Sequence, residues 1–401
     1  MRSTGRPWCA GAARFVPILQ TGAVPVHTVP PYRFPHPRRC PFLRQYIVLS
    51  DAPWRSVPSR TQQLSARFRG EVLYFEPPGA SKRSHREPGR QVRPNVILYT
   101  LPSAGLLPVG GGLARPGGWR RQGAFISRAV LRHGFREPLL WTTCPAQVHL
   151  LDHLTYRGLV YDCAADWSRL SPRWEGDLAA AADVVFAASP ALADHLSPCS
   201  GNIALLPNGV NFPMFCRSDL DPPRELRGIR GPVLGWIGSI DERLDLSPLL
   251  RTAREHPRWT FLLVGKVLRN PLLAALQALP NVHFAGHRPM VEIPEYVGCF
   301  DVCLDLRRKG QDIYEIVPRR VFEYLSTGKP IVTPLYPGQV EAFPDVIYGA
   351  HGPEEYSLLC ERALEEDPAW VSQRRKDYGA AAAWSRRVEE VQQILRDIGL
   401  A

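Results

Sequence analysis

The hydrophobic positions of this chain fall into short apolar runs that alternate with segments of helical periodicity. In the first half, strands are predicted at 45–50, 71–75, 95–100, 139–142, 158–162, 183–187 and 203–206. In the second half, strands are predicted at 233–238, 259–264, 282–284, 301–306 and 330–333, with helices near 247–256, 271–278 and 318–327. Alternation of this kind is typical of an α/β protein in which a mainly parallel sheet is covered on both faces.

The length of the chain, 401 residues, exceeds what one hydrophobic core usually supports, so two doubly wound domains are expected. The predicted boundaries are an N-terminal extension at 1–44, a first domain at 45–212, a linker at 213–231, a second domain at 232–378 and a C-terminal helix at 379–401. The extension contains neither Asp nor Glu and is rich in Pro and Arg. We expect it to be disordered or to precede the native translation start.

The charge of the chain is unevenly distributed. Residues 1–150 carry 22 Lys and Arg against 5 Asp and Glu, whereas the remainder carries 27 against 33. Basic residues near anionic lipids contribute about 1 kcal/mol each, so an anionic membrane surface or a lipid-linked phosphate is one partner that this charge fits. A genome of high G+C content, which favours arginine codons, explains the same charge. No zinc finger, RNP-like strand or helix-turn-helix signature accompanies it, so nucleic acid is not an expected partner.

The nine cysteines are scattered and odd in number, and no Cys-x-x-Cys occurs. We therefore expect reduced thiols in a reducing compartment, without disulfides or a zinc site. No apolar run approaches the roughly 18 residues of a membrane span. The aspartates near the predicted strand ends lack an Asp-x-Asp arrangement, so no divalent metal and no other cofactor is expected.

The segment 314–334 carries the most chemical information. Pro318 suits the first position of a helix, and Gly328 followed by Pro330 supplies its end. Glu315 then lies in the loop before the helix and Glu323 lies inside it. Because the start of a helix presents unpaired N–H groups and a partial positive charge, it suits a diphosphate. Carboxylates on either side can accept hydrogen bonds from sugar hydroxyls.

Glu323 also has a structural interpretation: a solvated helix charge paired with Arg319 or Arg320 at helical spacing. The surrounding residues favour the ligand-binding interpretation. The stretch Pro318-Arg-Arg-Val-Phe-Glu-Tyr-Leu-Ser-Thr-Gly-Lys-Pro-Ile-Val332 resembles the Glu-x7-Glu region of retaining GT-B glycosyltransferases of group 1, similar to family 4. The resemblance implies that Glu323 holds the ribose of a nucleotide and that Glu315 faces the donor sugar as the catalytic carboxylate.

Other segments resemble the same family in the same order along the chain, covering roughly residues 45–396. They are Tyr46–Trp54, Val160–Trp167, Ala182–Leu192 and Leu206–Val210, the last with Asn211 where the family usually has Asp. The resemblance implies a GT-B fold, in which two Rossmann-like domains face each other across a cleft. It also implies a terminal helix that crosses back to the first domain, with hinges at 210–232 and near 378.

Glycines follow several predicted strands of the second domain. Gly238, Gly265 and Gly286 stand at predicted strand ends, and the loop 307–317 follows another. Since ligands bind outside the carboxyl ends of parallel strands, we expect these residues to converge on the donor, together with Ile316 and Val317 at the start of the motif helix.

The cation that faces the diphosphate departs from the family pattern. Ser239 and Leu244 stand where the family places Arg and Lys. The alternatives for this role are Arg243, Lys266, Arg307, Arg308, Lys309 and Arg320.

On the acceptor side, Arg60 and Asp166 lie near strand ends of the first domain and are predicted to orient an acceptor hydroxyl, with Asp162 beside them. An N-cap or a surface ion pair explains Asp166 as well. The loop-like stretches 76–94 and 102–118 are expected to face the acceptor.

These features predict a cytoplasmic retaining glycosyltransferase, free or peripheral at the inner face of the cell membrane. It would transfer a sugar from a nucleotide-sugar to a polysaccharide, lipid-linked or other cell-surface glycan acceptor. Two alternatives remain open: a nucleotide-sugar epimerase or hydrolase of the same fold, and an RNA-binding or regulatory protein on a degenerate GT-B scaffold.

Overall fold

The computed structural model describes residues 44–55, 57–78, 89–103, 117–229, 231–308, 310, 314–334, 337–365 and 367–400. Residues 1–43 of the predicted extension, the candidate cation Lys309, and most of the stretches 76–94 and 102–118 therefore lie outside the described residues.

The first domain contains an eight-stranded sheet. Its strands are β1 (Gln45–Leu49), β2 (Glu71–Glu76), β3 (Arg90–Arg93), β4 (Val96–Thr100), β5 (Leu139–Thr142), β6 (Gly158–Cys163), β7 (Val184–Ala187) and β8 (Ile203–Leu205). They lie in the order β3-β4-β2-β1-β5-β6-β7-β8. All neighbouring pairs are parallel except β3 with β4.

The second domain contains a six-stranded sheet that is parallel throughout. Its strands are β9 (Val233–Ile237), β10 (Thr260–Val264), β11 (Val282–Gly286), β12 (Val302–Leu304), β13 (Ile331–Pro334) and β14 (Tyr348–Ala350). They lie in the order β11-β10-β9-β12-β13-β14. The predicted α/β architecture with two Rossmann-like domains is confirmed.

Helices connect the strands of both domains. They are α1 (Arg60–Ser65), α2 (Gly118–Arg132), α3 (Pro172–Ala181), α4 (Pro190–Leu196), α5 (Phe212–Phe215), α6 (Ser247–Glu255), α7 (Leu273–Gln277), α8 (Ile293–Gly298), α9 (Arg319–Thr327), α10 (Pro337–Ala342), α11 (Pro353–Glu365), α12 (Ala369–Ala381) and α13 (Trp384–Asp397). Short 3-10 segments span Pro145–His153 and Arg224–Leu226.

Each sheet separates two hydrophobic cores, because successive side chains of a strand point to opposite faces. In β1, Ile47 and Leu49 enter one core, whereas Tyr46 and Val48 enter the other. Helix α13 packs into the second of these through Trp384, so the last helix of the chain lies on the first domain. Full burial of an apolar side chain contributes about 1.5–3 kcal/mol, which makes this contact a substantial link between the domains.

The chain passes from the second domain to α13 beside the end of the first domain. Val210 N donates to Ala382 O at 3.0 Å, and Trp384 N donates to Val210 O at 3.0 Å. Gly209 lies against the Trp384 indole, where an added Cβ would come within 2.8 Å of the ring. Tyr378 lies inside α12 and the helix break falls at 382–383, so the hinge near 378 stays a prediction.

Two predictions need correction. The loop-like stretch 76–94 contains β3, an antiparallel edge strand of polar sequence that lacks the apolar run typical of a buried strand. Pro318 is the N-cap of α9 rather than its first helical residue, because its φ of −73° and ψ of 152° are extended.

The predicted linker contains Phe215 and Leu226, whose side chains are buried in the second domain.

Candidate functional site

Three glycines bring the carboxyl ends of β9, β10 and β11 together. Gly238 N donates to Val264 O and Gly265 N donates to Gly286 O, both at 2.9 Å. The φ angles of Gly238, Gly265 and Gly286 are 137°, 153° and 72°. A Cβ on Gly265 would lie 1.9 Å from Gly238 O, so this close backbone packing requires glycine.

Helix α9 begins beside these glycines. Its N-cap, Pro318, makes no side-chain hydrogen bond to the helix, and its first turn holds no acidic residue. The helix is anchored on its other face, since Val321, Phe322 and Leu325 are buried and Ile237 N donates to Tyr324 Oη at 2.9 Å. The first N–H groups of α9 are thus held in place without a capping side chain, which is the arrangement that suits an anion.

The Glu323 carboxylate makes no hydrogen bond or ion pair with any residue that the structure describes. The two arginines that could pair with it bond elsewhere: Arg319 Nη1 donates to Pro58 O, and Arg320 Nη1 donates to Ile237 O at 3.2 Å. Burial raises the pKa of Glu323, and the charges of Arg319 and Arg320 lower it in part. The carboxylate oxygens are not among the fully buried atoms that lack a partner, so they are open to solvent and can accept a hydrogen bond from outside the chain.

Arg320 is the cation best placed at the glycine cluster. Its guanidinium Cζ lies 3.9 Å from the centroid of the Trp236 ring, and a Cβ on Gly238 would come within 2.8 Å of its Nη1. Burial lowers the pKa of Arg320, whereas the nearby carboxylate of Asp305 raises it. Stacking and the bond to Ile237 O fix the guanidinium at the end of β9, beside the start of α9.

The other candidate cations are placed differently. Arg243 pairs with Asp241 through Nη2 and Oδ2 at 2.5 Å, and its side chain is 73% exposed. Lys266 and Arg308 are exposed as well. Arg307 pairs with the fully buried Asp305 at 3.1 Å, and its backbone forms a bridge with Leu244. Arg307 therefore lies beside one of the two residues that depart from the family pattern.

Glu315 lies in the loop before α9 with a φ of 49°, a left-handed conformation that is uncommon outside glycine. Its Oε2 accepts a hydrogen bond from Gly338 N in α10 at 2.9 Å. The neighbouring Ile316 packs against a core of the first domain, whereas Val317 is buried in the second. The predicted sugar-facing residue is thus held between the two domains.

On the first domain, the predicted acceptor residues bond within the protein. Arg60 forms a bidentate pair with Asp162, with Nη2 to Oδ1 at 2.8 Å, and both side chains are buried. Asp166 is exposed, and its Oδ1 accepts from Ser168 N at 2.8 Å. Asp166 and Glu175 both lie close enough to Tyr314, in the loop before α9, to raise the pKa of that phenol, after the larger effect of its burial.

Asp51 is a carboxylate just beyond the carboxyl end of β1 that was not among the predicted site residues. It follows the end of β1, and Thr143 Oγ1, after β5, donates to its Oδ1 at 3.1 Å. Burial raises the pKa of Asp51, and the hydrogen bond from Thr143 opposes that shift. Its position directly after a buried parallel strand is the signal that indicates it.

Within the described ranges, the side chains form neither a metal site nor a disulfide. Among those residues, no group of three or more His, Cys, Asp or Glu side chains is arranged to hold a metal ion. The cysteines at 144, 163, 199, 216, 299, 303 and 360 are free thiols. No helix in the described part of the chain is long and apolar enough to cross a membrane.

Comparison with known proteins finds that this chain is similar to glycosyltransferases. Residues 243–393 match the model of a family described as glycosyl transferase-like. A protein of Bacillus subtilis (strain 168) named "Putative teichuronic acid biosynthesis glycosyltransferase TuaH" is 31% identical over 177 residues, which are 42% of this chain and 44% of that relative. The chain thus spans less than half the length of this relative in the match.

Solved structures match over a larger part of the chain. Sucrose-phosphate synthase from Thermosynechococcus elongatus has a TM-score of 0.67 at 16% identity and covers 88% of this chain and 99% of its own. A trehalose-6-phosphate structure from E. coli, bound with UDP-2-fluoro glucose, gives 0.67 at 11% identity over 89% and 99%. Anabaena HepE, in complex with UDP and glucose, gives 0.61 at 14% over 88% and 100%. The resemblance to GT-B glycosyltransferases is confirmed by the family match in the second domain and by the fold of both domains.

Proposed function

We propose that this protein is a retaining glycosyltransferase that moves a sugar from a nucleotide-sugar to a polysaccharide, lipid-linked or other cell-surface glycan. The observation that carries the proposal is the unpaired carboxylate of Glu323, one turn inside a helix whose N-terminus lacks a capping side chain. A nucleotide-sugar satisfies both features at once: its ribose hydroxyls donate to Glu323, and its diphosphate accepts from the first N–H groups of α9.

The chemistry of the step asks for stabilisation of the leaving group. The anomeric C–O bond breaks, its electron pair leaves with the nucleotide diphosphate, and the acceptor oxygen forms the new bond as it loses its proton. Fixed donors and cations where negative charge develops lower the barrier most. In this chain, those groups are the start of α9, the backbone around Gly238, Gly265 and Gly286, and the Arg320 guanidinium. We assign Arg243 and Lys266 lesser roles, since both are exposed.

We further propose that these groups neutralise the diphosphate without a divalent metal or other cofactor, so a chelator should leave turnover unchanged. Glu315 is assigned to the donor sugar. Its Oε2 bonds to Gly338 N, which leaves Oε1 to accept from a sugar hydroxyl or to face the positive charge that develops at the anomeric carbon. On the acceptor side, the exposed Asp166 is the group that we assign to an acceptor hydroxyl, with Arg60 fixing Asp162 behind it.

The test of this proposal begins with a thermal-shift panel of nucleotide-sugars, because a bound donor stabilises the fold by mass action. With the donor identified, Glu323→Ala should weaken its binding at least tenfold, since a hydrogen bond to a charged group contributes about 1.5–3 kcal/mol. Glu315→Ala should mainly slow transfer. Glu389→Ala, which removes an exposed carboxylate from α13, is the matched control.

Unchanged donor affinity and turnover in both glutamate variants would refute the assignment. Turnover of the donor without any acceptor would indicate the epimerase or hydrolase instead. Salt-sensitive RNA binding that survives Glu323→Ala, with no nucleotide-sugar binding, would indicate the regulatory scaffold.

An anionic membrane surface is the partner that we propose for the basic first domain, as the site where a lipid-linked acceptor resides. Helix α2 supports it: Arg120, Arg121, Arg128 and Arg132 are exposed and make no ion pair with any described residue. The helix contains no Asp or Glu, and Leu131 is 76% exposed beside the arginines. Basic residues contribute about 1 kcal/mol each at an anionic surface.

Binding to phosphatidylglycerol vesicles, compared with phosphatidylcholine vesicles, tests this partner. Replacing the four arginines by Gln should reduce binding to the anionic vesicles by at least about a hundredfold. The matched control is Gln at Arg173 and Arg217, which are exposed arginines elsewhere on the surface. Equal binding to both vesicle types would refute the proposal.

A further inference from the structure

Residues 314–317, just before the N-cap of α9, contact the first domain and the second domain in turn. Tyr314 and Ile316 pack against a core of the first domain, whereas Val317 is buried in the core of the second. Glu315, between them, bonds through its carboxylate to α10 of the second domain. The segment 314–317 therefore cannot keep all its contacts unless the two domains are docked together.

Two side chains of the first domain hold the main chain of this segment. Ser189 Oγ, at the start of α4, donates to Tyr314 O at 2.5 Å. Asn208 Nδ2, in the turn after β8, donates to Val317 O at 3.0 Å. The two acceptor carbonyls flank Glu315 on either side along the chain. Ser189 is 3% exposed, so its bond to the loop is shielded from water.

Glu315 needs such support because its backbone is unfavourable. Its φ of 49° is a left-handed conformation that costs free energy in any residue with a side chain, and it persists where neighbouring contacts determine it. The carbonyl directly before Glu315 and the carbonyl two residues after it are both bonded to the first domain, which restricts the backbone on either side of the strained residue. We expect that release of either anchor gives the backbone more freedom to relax, which would shift the carboxylate from this position.

We propose that Ser189 and Asn208 are positioning residues that set the Glu315 carboxylate for sugar transfer, an inference that rests on the proposed function. The groups that we assign to the donor nucleotide, Glu323 and the start of α9, belong to the second domain, and the contact of Arg319 with Pro58 O at that helix start is left intact in both anchor variants. The sugar-facing carboxylate, in contrast, reaches its working position only when the first domain is docked. Transfer is thereby coupled to domain docking, whereas nucleotide binding is not.

The experiment compares Ser189→Ala and Asn208→Ala with two matched controls. Ser197→Ala removes a hydroxyl that donates to Asp194 O at the other end of α4, and Asn202→Ala removes an amide that donates to Asp183 O. Both controls lose a side-chain bond to a carbonyl within the first domain. Ser189→Thr retains the hydroxyl and serves as the rescue variant. The measurements are kcat, KM for donor, Kd for the nucleoside diphosphate, and hydrogen exchange of peptides covering 314–321.

Each anchor variant should lower kcat roughly three- to tenfold, which corresponds to the loss of one hydrogen bond, with a nucleotide Kd within twofold of wild type. Exchange of the 314–321 peptides should rise in these variants and in neither control, and Ser189→Thr should restore both values. Ser189 also accepts from Leu192 N as the cap of α4, so Asn208→Ala, which disturbs no cap, carries the test if Ser189→Ala fails to fold.

Unchanged exchange and unchanged kcat in Asn208→Ala would overturn the inference. A nucleotide Kd that weakens in step with kcat would overturn it too, since the anchors would then act on the whole donor site. Absence of nucleotide-sugar binding in the wild-type protein would refute the proposed function alone, and exchange of the 314–321 peptides would still decide whether the anchors hold the loop.

Discussion

Carboxylates near the carboxyl ends of the two sheets differ in whether the protein itself pairs them: Asp162 and Asp305 each hold an arginine, whereas Glu323 does not. In the first domain, Asp162 is buried and bonded to Arg60. Glu175 accepts from Tyr161 Oη at 3.1 Å, and its other oxygen lies 3.1 Å from His195 Nε2. In the second domain, Glu323 has no partner among the described residues. The contrast separates carboxylates that the protein itself pairs from one that it leaves unpaired, the one that we propose to bind the donor.

Removing one carboxylate from each domain tests this comparison most directly. Asp162→Ala leaves the Arg60 guanidinium buried without its partner and should lower the free energy of unfolding by about 3–5 kcal/mol. Glu323→Ala removes a carboxylate that the fold does not pair, so it should leave stability unchanged or slightly increased. Urea unfolding of both variants measures the difference. Equal losses would show that Glu323 is as structural as Asp162.

The glycines of the second domain allow a second comparison, within one cluster. Gly265→Ala forces a Cβ to 1.9 Å from Gly238 O at a φ of 153°, so the strand ends must move apart. We expect a loss of about 2–4 kcal/mol in stability, with weaker donor binding. Gly286→Ala meets no atom within 4 Å and should cost about 1 kcal/mol for its positive φ alone. Thermal unfolding with and without the nucleoside diphosphate measures both effects, and similar values for the two variants would contradict the close packing.

The cations of the second domain can be compared in the same way. Arg320→Lys retains the charge but loses the planar group that stacks on Trp236 and bonds to Ile237 O. We expect about tenfold weaker binding of the nucleoside diphosphate, with the affinity for the nucleoside unchanged. Arg243→Lys should change neither affinity, because its guanidinium is exposed and paired with Asp241. If Arg243→Lys gave the larger loss, the diphosphate cation would have to be reassigned.

The sequence predicted this fold where one local signal is enough. The run 139–142 is a buried strand with the predicted bounds, because buried parallel strands are continuously apolar. β3 was missed because Arg90–Arg93 is a polar edge strand whose only signal is its pairing with β4. The position of Glu323 in the helix was predicted by alignment of the segment with the family motif. The lack of a partner for its carboxylate was not predicted, because it depends on which acceptors Arg319 and Arg320 bond to in the folded protein.

Contacts between distant residues lay beyond the sequence reasoning for the same reason. Arg60 and Asp162 are 102 residues apart, and Ser189 and Tyr314 are 125 apart. Nothing in their local sequence indicates that they meet. Arg60 was therefore predicted to bind the sugar acceptor rather than to form an ion pair with Asp162. Local patterns identify the elements of such a protein, whereas the satisfaction of its polar groups is decided by tertiary packing.

The pKa of Glu323 gives the smallest and most specific prediction. Because burial raises this pKa above its ordinary value of 4.5, the folded protein binds the proton more tightly than the unfolded chain does. The contribution of Glu323 to stability is therefore fully present below the unfolded pKa and is lost as the pH rises through the folded pKa.

Nucleotide binding should change in the opposite direction, since the ribose hydroxyls donate to the ionised carboxylate, and affinity should fall by up to about tenfold per pH unit below the folded pKa. Isothermal titration with the nucleoside diphosphate between pH 4.5 and 8, for wild type and Glu323→Gln, measures this dependence. The variant should retain only the dependence that comes from the terminal phosphate of the ligand, whose second pKa is about 6, and a profile identical to that of wild type would assign the titration to another group.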